Sequence, residues 1–141
     1  VLTVTVIVAG KTSERWQDAA CEEYIKRLGA FCRFNLIQIK EGESAIPKLP
    51  QKAYKIALCV EGVELDSPGL ADLINRTANR GISEIAFVVG GSDGLTEAEK
   101  AACDLRLSFS KLTFPHGMIR VFLLEQIYRA FTIIKGLKYH K

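Results

Sequence analysis

The stretch EIAFVVGGSDG, residues 84–94, decides the fold. Its first half, Glu84 to Val89, is a short, almost wholly apolar run, as expected of a strand buried on both faces. Its second half, Gly90 to Gly94, is a glycine cluster that turns the chain at the strand's end. Just beyond it, Thr96 and Glu99 stand at capping-box spacing and predict a short helix. Leu105 to Ser110 then alternates as a further strand. Upstream, Lys55 to Val60 reads as another buried strand, followed by a helix opened by Ser67 and Pro68 and stopped after Arg80 by Gly81. Further back, Leu2 to Val8 forms a first strand leading to the turn at Gly10. Ser13 is the expected N-cap of a helix in which Trp16, Ala20, Tyr24 and Leu28 recur four apart until Gly29. Phe31 to Ile39 is the second strand, and the polar segment from Lys40 to Gln51, with Gly42, Pro47 and Pro50, is a connecting loop. Strands and helices alternate throughout, which predicts an α/β fold: a mostly parallel sheet with helices on both faces, in a single domain over residues 1–141.

Composition agrees with that class. The 141 residues are 48% hydrophobic and 25% charged, an ordinary globular balance. No apolar run approaches the roughly 20 residues that span a bilayer, so no membrane association and a cytoplasmic location are expected. Cys21, Cys32, Cys59 and Cys103 are irregularly spaced in apolar or helical stretches, the pattern of buried free thiols rather than of paired metal ligands, so no metal is expected. The net charge of +3 is too small to imply a nucleic-acid partner by itself. Its placement says more, because Arg129, Lys135, Lys138, His140 and Lys141 crowd the end of the chain. The last helix, from about Pro115, carries Val121, Phe122, Leu123, Leu124, Ile127, Tyr128, Phe131 and Ile134. That apolar surface is broader than the ~100° one core-facing stripe needs, and it is read as a second buried face against another copy of the chain, the alternative being a central helix enclosed by its own domain.

Ligands of open parallel sheets bind beyond the carboxyl ends of the strands. Three junctions lie at such ends: Leu58 to Gly62, Gly90 to Gly94 and Phe109 to Phe114. Together they can form one pocket in which glycines let a flat ligand approach the backbone. The glycine cluster matches neither the dinucleotide fingerprint nor a P-loop. His116, at the start of the last helix, is read either as a capping residue or as a catalytic one. Arg129 either extends to solvent along its apolar stem or points a charge into a site. His140, one residue from the end, reads as part of a frayed tail on position alone.

Four stretches in order then carry a resemblance: FVVGGSDGL from Phe87 to Leu95, LSFSKLTFPH from Leu107 to His116, Arg120 followed by EQIYRAF from Glu125 to Phe131, and the terminal Tyr139-His140-Lys141. Together they closely resemble the ribosomal RNA large subunit methyltransferase H family, over the chain from about Leu58 onward and more loosely before it. The resemblance implies a SPOUT fold with a C-terminal trefoil knot, a homodimer, and S-adenosyl-L-methionine as cofactor. It places cofactor contacts at Leu58, Gly90 and the run Phe109, Ser110, Lys111, Leu112, Thr113 and Phe114. It implies methylation of N3 of a pseudouridine in 23S ribosomal RNA, on the assembled ribosome. Arg129 and His140 are then the expected catalytic residues, and Arg129, Tyr139, His140 and Lys141 the expected RNA contacts. Two departures stand out: the segment from Lys40 to Gln51 is shorter than in many members, and Lys141 stands where many carry arginine. Two other readings stay open at this point. One is an RNA-binding module that has kept the fold without turnover, and the other is a small-molecule enzyme on a flavodoxin-like sheet.

Overall fold

The computed structural model describes residues 1–12 and 14–141, so the cap expected at Ser13 lies outside the described residues. Five strands, β1 (Thr3–Ala9), β2 (Arg33–Ile39), β3 (Tyr54–Glu64), β4 (Glu84–Val89) and β5 (Leu105–Ser108), form one sheet in the order β2-β1-β4-β3-β5. Every pairing is parallel. Four α-helices join them: α1 (Arg15–Leu28), α2 (Ser67–Asn79), α3 (Glu97–Ala101) and α4 (His116–Ile134).

The strands β1 and β4 occupy the middle of the sheet, and their sequences explain why. Val4, Val6, Ile7 and Val8 of β1 and Ile85, Ala86, Phe87 and Val88 of β4 are buried on both faces, and each fully buried aliphatic side chain contributes about 1.5–3 kcal/mol. The two faces are covered unequally. On one, Val4, Val6, Val8, Ile56, Ile85 and Phe87 pack with Cys21 and Leu28 of α1, Leu70 and Ile74 of α2, and Leu123, Leu124 and Ile127 of α4. On the other, Ile7, Ala9, Ile39 and Val88 meet Ala45, Leu49, Leu95 and Cys103, which flank a 3-10 turn (Ile46–Lys48) and the short α3. Helical cover is therefore present on both faces but thin on the second.

Four details differ from the sequence reading. In α1 the buried positions are Gln17, Cys21 and Leu28, while Trp16 is 56% exposed. A row of residues four apart drifts by about 40° per step, so Trp16, Ala20, Tyr24 and Leu28 cannot all face one core, whereas spacings that mix three and four can. The cap of α2 is Asp66, whose side chain accepts from the Gly69 amide at 2.8 Å, and Ser67 is the first helical residue. β2 begins at Arg33, and β5 ends at Ser108.

The fourth difference concerns β3, which runs on to Glu64 instead of ending near Val60. Leu58 and Val63 both pair with Leu107, so Cys59 to Gly62 form a bulge between two registers. Bulges re-aim side chains beside functional sites, and this one lies at the carboxyl end of the sheet. The last helix also has an intrachain explanation. α4 runs between α1 and α2 against the sheet, and its apolar breadth is largely consumed there, leaving Phe122 as its exposed large apolar side chain. The width of its apolar surface is not by itself a sign of a second copy.

Candidate donor cavity and C-terminal cluster

The carboxyl ends of β3, β4 and β5 enclose a cavity of about 310 Å³, within the range of small-molecule sites. It is lined by the three junctions expected from the sequence, Leu58 to Gly62, Gly90 to Gly94 and Phe109 to Phe114, with the exception of Gly62 and Lys111, and Leu95 joins them. Lys111 is exposed and outside the lining. His116 and Ile119, from the first turn of α4, complete one side.

Local chemistry shapes each wall. At Gly90 a Cβ would stand 2.5 Å from the Gly94 carbonyl carbon and 2.7 Å from the Leu95 nitrogen, so the loop closes on itself only because this residue has no side chain. The return of the loop is held by the Gly94 amide donating to the Gly91 carbonyl at 3.0 Å. The capping box then follows as the spacing predicted, with the Glu99 amide donating to Thr96 Oγ1 at 3.1 Å and the Thr96 amide to Glu99 Oε1 at 2.8 Å. In the third wall the Ser108 hydroxyl donates to the Ser110 carbonyl and the Leu112 amide donates to Ser110 Oγ, both at 3.0 Å. These bonds hold Ser108 to Leu112 in a locally hydrogen-bonded bend at the cavity wall.

Charge on the lining was not foreseen. Glu61, aimed by the β3 bulge, pairs with Lys100 of α3 at 2.5 Å, and Asp93 is a second carboxylate. The hydrogen bond from Lys100 holds the Glu61 carboxyl below its ordinary range and in turn raises Lys100. Two carboxylates against one ammonium leave the lining net negative. Glu61 falls within the junction Leu58 to Gly62, but nothing in the sequence singled out its charge or its pairing with Lys100, because the bulge that brings β3 toward α3 has no local signature.

The tail residues gather elsewhere. Arg129 Nη2 donates to Glu125 Oε2 at 2.7 Å and Nε donates to the same oxygen at 3.2 Å. The Tyr139 hydroxyl donates to Glu125 Oε2 at 2.7 Å, and Arg129 Nη1 lies 3.1 Å from His140 Nδ1. The Tyr139 ring meets the Tyr128 ring edge-on with centroids 4.8 Å apart, and the Arg129 guanidinium lies 4.8 Å from the Tyr139 centroid. Burial, followed by the bond to Glu125, raises the Tyr139 phenol well above its usual range. Arg129 is thus neither extended into solvent nor aimed into the cavity, and the tail is packed rather than frayed. The chain reverses after α4 at Gly136, φ 70°, with the Leu137 amide donating to the Thr132 carbonyl at 2.9 Å. None of Arg129, Tyr139, His140 and Lys141 lines the cavity of its own chain. Among the described residues there is no cluster of His, Cys, Asp and Glu able to hold a metal ion, and no helix is long and apolar enough to cross a membrane.

Comparison with known proteins agrees with this architecture. Residues 2–140 match the family described as "Predicted SPOUT methyltransferase". The chain is 38% identical over 159 aligned positions to a Limosilactobacillus reuteri protein named ribosomal RNA large subunit methyltransferase H, covering 99% of this chain and 100% of the relative. It is 40% identical over 154 positions to the protein of the same name from Caldicellulosiruptor saccharolyticus, covering 98% and 99%. In three dimensions it resembles a Bordetella pertussis protein described as a probable methyltransferase, with a TM-score of 0.65 at 15% identity over 91% of this chain and 95% of that one.

Proposed function

Because the chain belongs to the ribosomal RNA large subunit methyltransferase H family of SPOUT methyltransferases, we propose that it methylates N3 of a pseudouridine in 23S ribosomal RNA, on the assembled ribosome in the cytoplasm, using S-adenosyl-L-methionine. The observation that carries this reading is the cavity itself. It joins the three segments that the family resemblance assigns to the cofactor, and its lining suits that molecule. S-adenosylmethionine is net positive through its sulfonium, which matches a wall bearing Glu61 and Asp93 against Lys100. Its flat adenine suits a lining that includes the glycines Gly90 and Gly91 and the aromatic residues Phe109 and Phe114.

When bound, the cofactor supplies an already activated methyl group. The protein is then left to align the donor with the base, hold the RNA and accept one proton. Leu58, Gly90, Phe109, Ser110, Leu112, Thr113 and Phe114 hold the donor. Arg129, whose Nε and Nη2 are committed to Glu125, offers Nη1 toward a phosphate or the charge that develops on the base. His140, in contact with that same Nη1, is suited to assist proton removal, and Tyr139 and Lys141 are suited to RNA contact. A loop nucleotide is the fitting target, because its base enters a pocket without melting a duplex.

Tail and cavity are separate within one chain, and this supports a homodimer in which each tail serves its partner's donor. Mixing a subunit lacking residues 137–141 with a Gly90→Ala subunit then restores activity at one of the two sites, and failure to restore any would place tail and donor in one subunit. Labelled methyl supplied as S-adenosylmethionine is expected to reach 23S RNA in assembled ribosomes and not stripped 23S RNA. Equal labelling of both would remove the ribosome from the proposal.

A further inference from the structure

Glu41 lies outside the cavity, on the far side of the glycine loop, and its carboxylate touches that loop directly. Glu41 Oε1 accepts from the Ser92 amide at 2.9 Å and from the Ser92 hydroxyl at 3.4 Å. The carboxylate rests on the α-carbon of Gly91, where a Cβ would overlap it, so Gly91 is the residue that admits it. Its other oxygen lies 2.5 Å from where a Cβ of Gly10 would be, and therefore also against the turn that ends β1. The side chain reaches there from an ordered turn. The Lys40 amide donates to Glu43 Oε1 and the Glu43 amide to the Lys40 carbonyl, both at 3.0 Å.

Behind Gly10 stands Arg120 of α4, 5% exposed. A buried guanidinium ordinarily has a carboxylate partner, yet among the described residues Arg120 makes no ion pair. Its Nη2 donates to the carbonyls of Ala9 and Gly10, each at 3.3 Å, and its Nε has no partner among the described residues. The Gly10 carbonyl also accepts from Gln38 Nε2 at 2.8 Å. Burial lowers the Arg120 guanidinium, and the neighbouring Cys21, Asp18 and Glu41 act in the opposite direction. Glu41 and Arg120 thus meet at the same turn without forming an ion pair, the carboxylate standing against Gly10 and the guanidinium donating to its carbonyl.

We propose that Glu41 is a positioning residue for the donor cavity: it holds Gly91 and Ser92 in the shape that binds the cofactor, and the buried charge of Arg120 holds Glu41 there. The inference rests on the reading of the cavity as a methyl-donor site. Gly91 and Ser92 line that cavity, and an amide fixed from outside leaves the inner face of the loop formed before the cofactor arrives. Preorganisation of this kind acts on affinity. Glu41 and Ser92 are both exposed, so losing the contact costs the fold little. The strap also links α4, which carries both Arg120 and Arg129, to the glycine-loop wall of the donor cavity.

The test is titration calorimetry of the full chain with S-adenosylmethionine for the wild type, Glu41→Gln, Glu41→Ala and Glu41→Lys. Glu41→Ala is expected to raise Kd about tenfold, and Glu41→Gln, which keeps an acceptor for Ser92 but not the charge, about threefold. Glu41→Lys sets two positive charges against each other and is expected to weaken binding more than alanine does. Melting temperatures of the glutamine and alanine variants stay at the wild-type value, and in turnover KM for the donor rises while kcat at saturation holds. Hydrogen exchange at the Ser92 amide accelerates in Glu41→Ala, a readout that needs no cofactor. Variants that bind as the wild type does would overturn the strap and leave the donor site standing. Lysine and alanine variants of equal affinity would remove Arg120 from it. A wild-type protein that binds no S-adenosylmethionine would overturn the donor site and the strap's role together.

Discussion

Replacing Gly90 with alanine probes the geometry on which the proposed donor site depends. The new Cβ would stand 2.5 Å from the Gly94 carbonyl carbon, 2.7 Å from the Leu95 nitrogen and 2.8 Å from the Gly94 oxygen. Carbon atoms prefer about 3.5–4.0 Å, so the loop must open by about 1 Å. All three obstacles are backbone, and no rotamer change relieves them. Overpacking of this kind costs about 1–3 kcal/mol, and the displaced segment is a wall of the cavity. S-adenosylmethionine affinity should therefore fall at least tenfold, equivalent to about 1.4 kcal/mol, with a lower melting temperature. Gly81→Ala is the control. Gly81 has φ 88° with nothing within 4 Å of its Cβ position, and it turns the chain between α2 and β4. Alanine there costs about 1 kcal/mol of backbone strain and about 4 °C in melting temperature, with donor affinity unchanged. Calorimetric titration beside thermal melts reads both quantities. A Gly90→Ala protein that binds the donor as the wild type does, or a Gly81→Ala protein that loses it, would refute the reasoning.

Other consequences are open to direct measurement. Leu123 is fully buried between α4 and the sheet, and Leu123→Ala should lower stability by about 3 kcal/mol in urea unfolding. Thr96→Ala breaks the capping box and should cost about 1 kcal/mol in the same assay. Burial pushes the Cys32 and Cys103 thiols up to about 11 from an ordinary 9.0. A folded pKa above the unfolded one means that the stabilisation is complete below pH 9 and is lost as pH climbs through 11; unfolding followed from pH 8 to 11 should show that decline, and iodoacetamide at pH 8 should label both thiols more slowly in native than in denatured protein. Burial and then the bond to Glu125 raise Tyr139; Glu125→Gln removes the second cause, so ultraviolet titration should find the phenolate forming at lower pH than in the wild type.

How much of this was legible in the sequence differs from element to element. The run from Glu84 to Val89 and its glycine turn announced themselves, because a strand buried on both faces needs continuous apolar residues and a turn at its end needs residues that tolerate close backbone contact. The Thr96–Glu99 box was equally plain, since both of its hydrogen bonds are local. The buried stripe of α1 was misplaced by one residue at its start, because Trp16 and Gln17 invert the usual expectation: the indole is exposed and the amide buried. The length of β3 was hidden by Glu61 and Gly62, which look like a loop and form a bulge whose pairing with β5 lies more than 40 residues away in sequence. Glu41 and Lys100 looked like ordinary surface charges. Nothing within a few residues of either marks it, since what each touches is set by the order of strands. The clustering of Arg129, Tyr139 and His140 followed from the family resemblance only as shared roles. Glu125, the common partner of Arg129 and Tyr139, was part of the matched motif, but its place in the cluster emerged from the fold, as did the contact of His140 with Arg129.

The central claim is a specific chemical modification, and identifying the nucleotide tests it most directly. Ribosomes from cells lacking this protein, incubated with it and methyl-labelled S-adenosylmethionine, should yield digests in which mass spectrometry finds the label on N3 of a single pseudouridine of 23S ribosomal RNA. Label on a different base, or none in a preparation that binds S-adenosylmethionine, would contradict it.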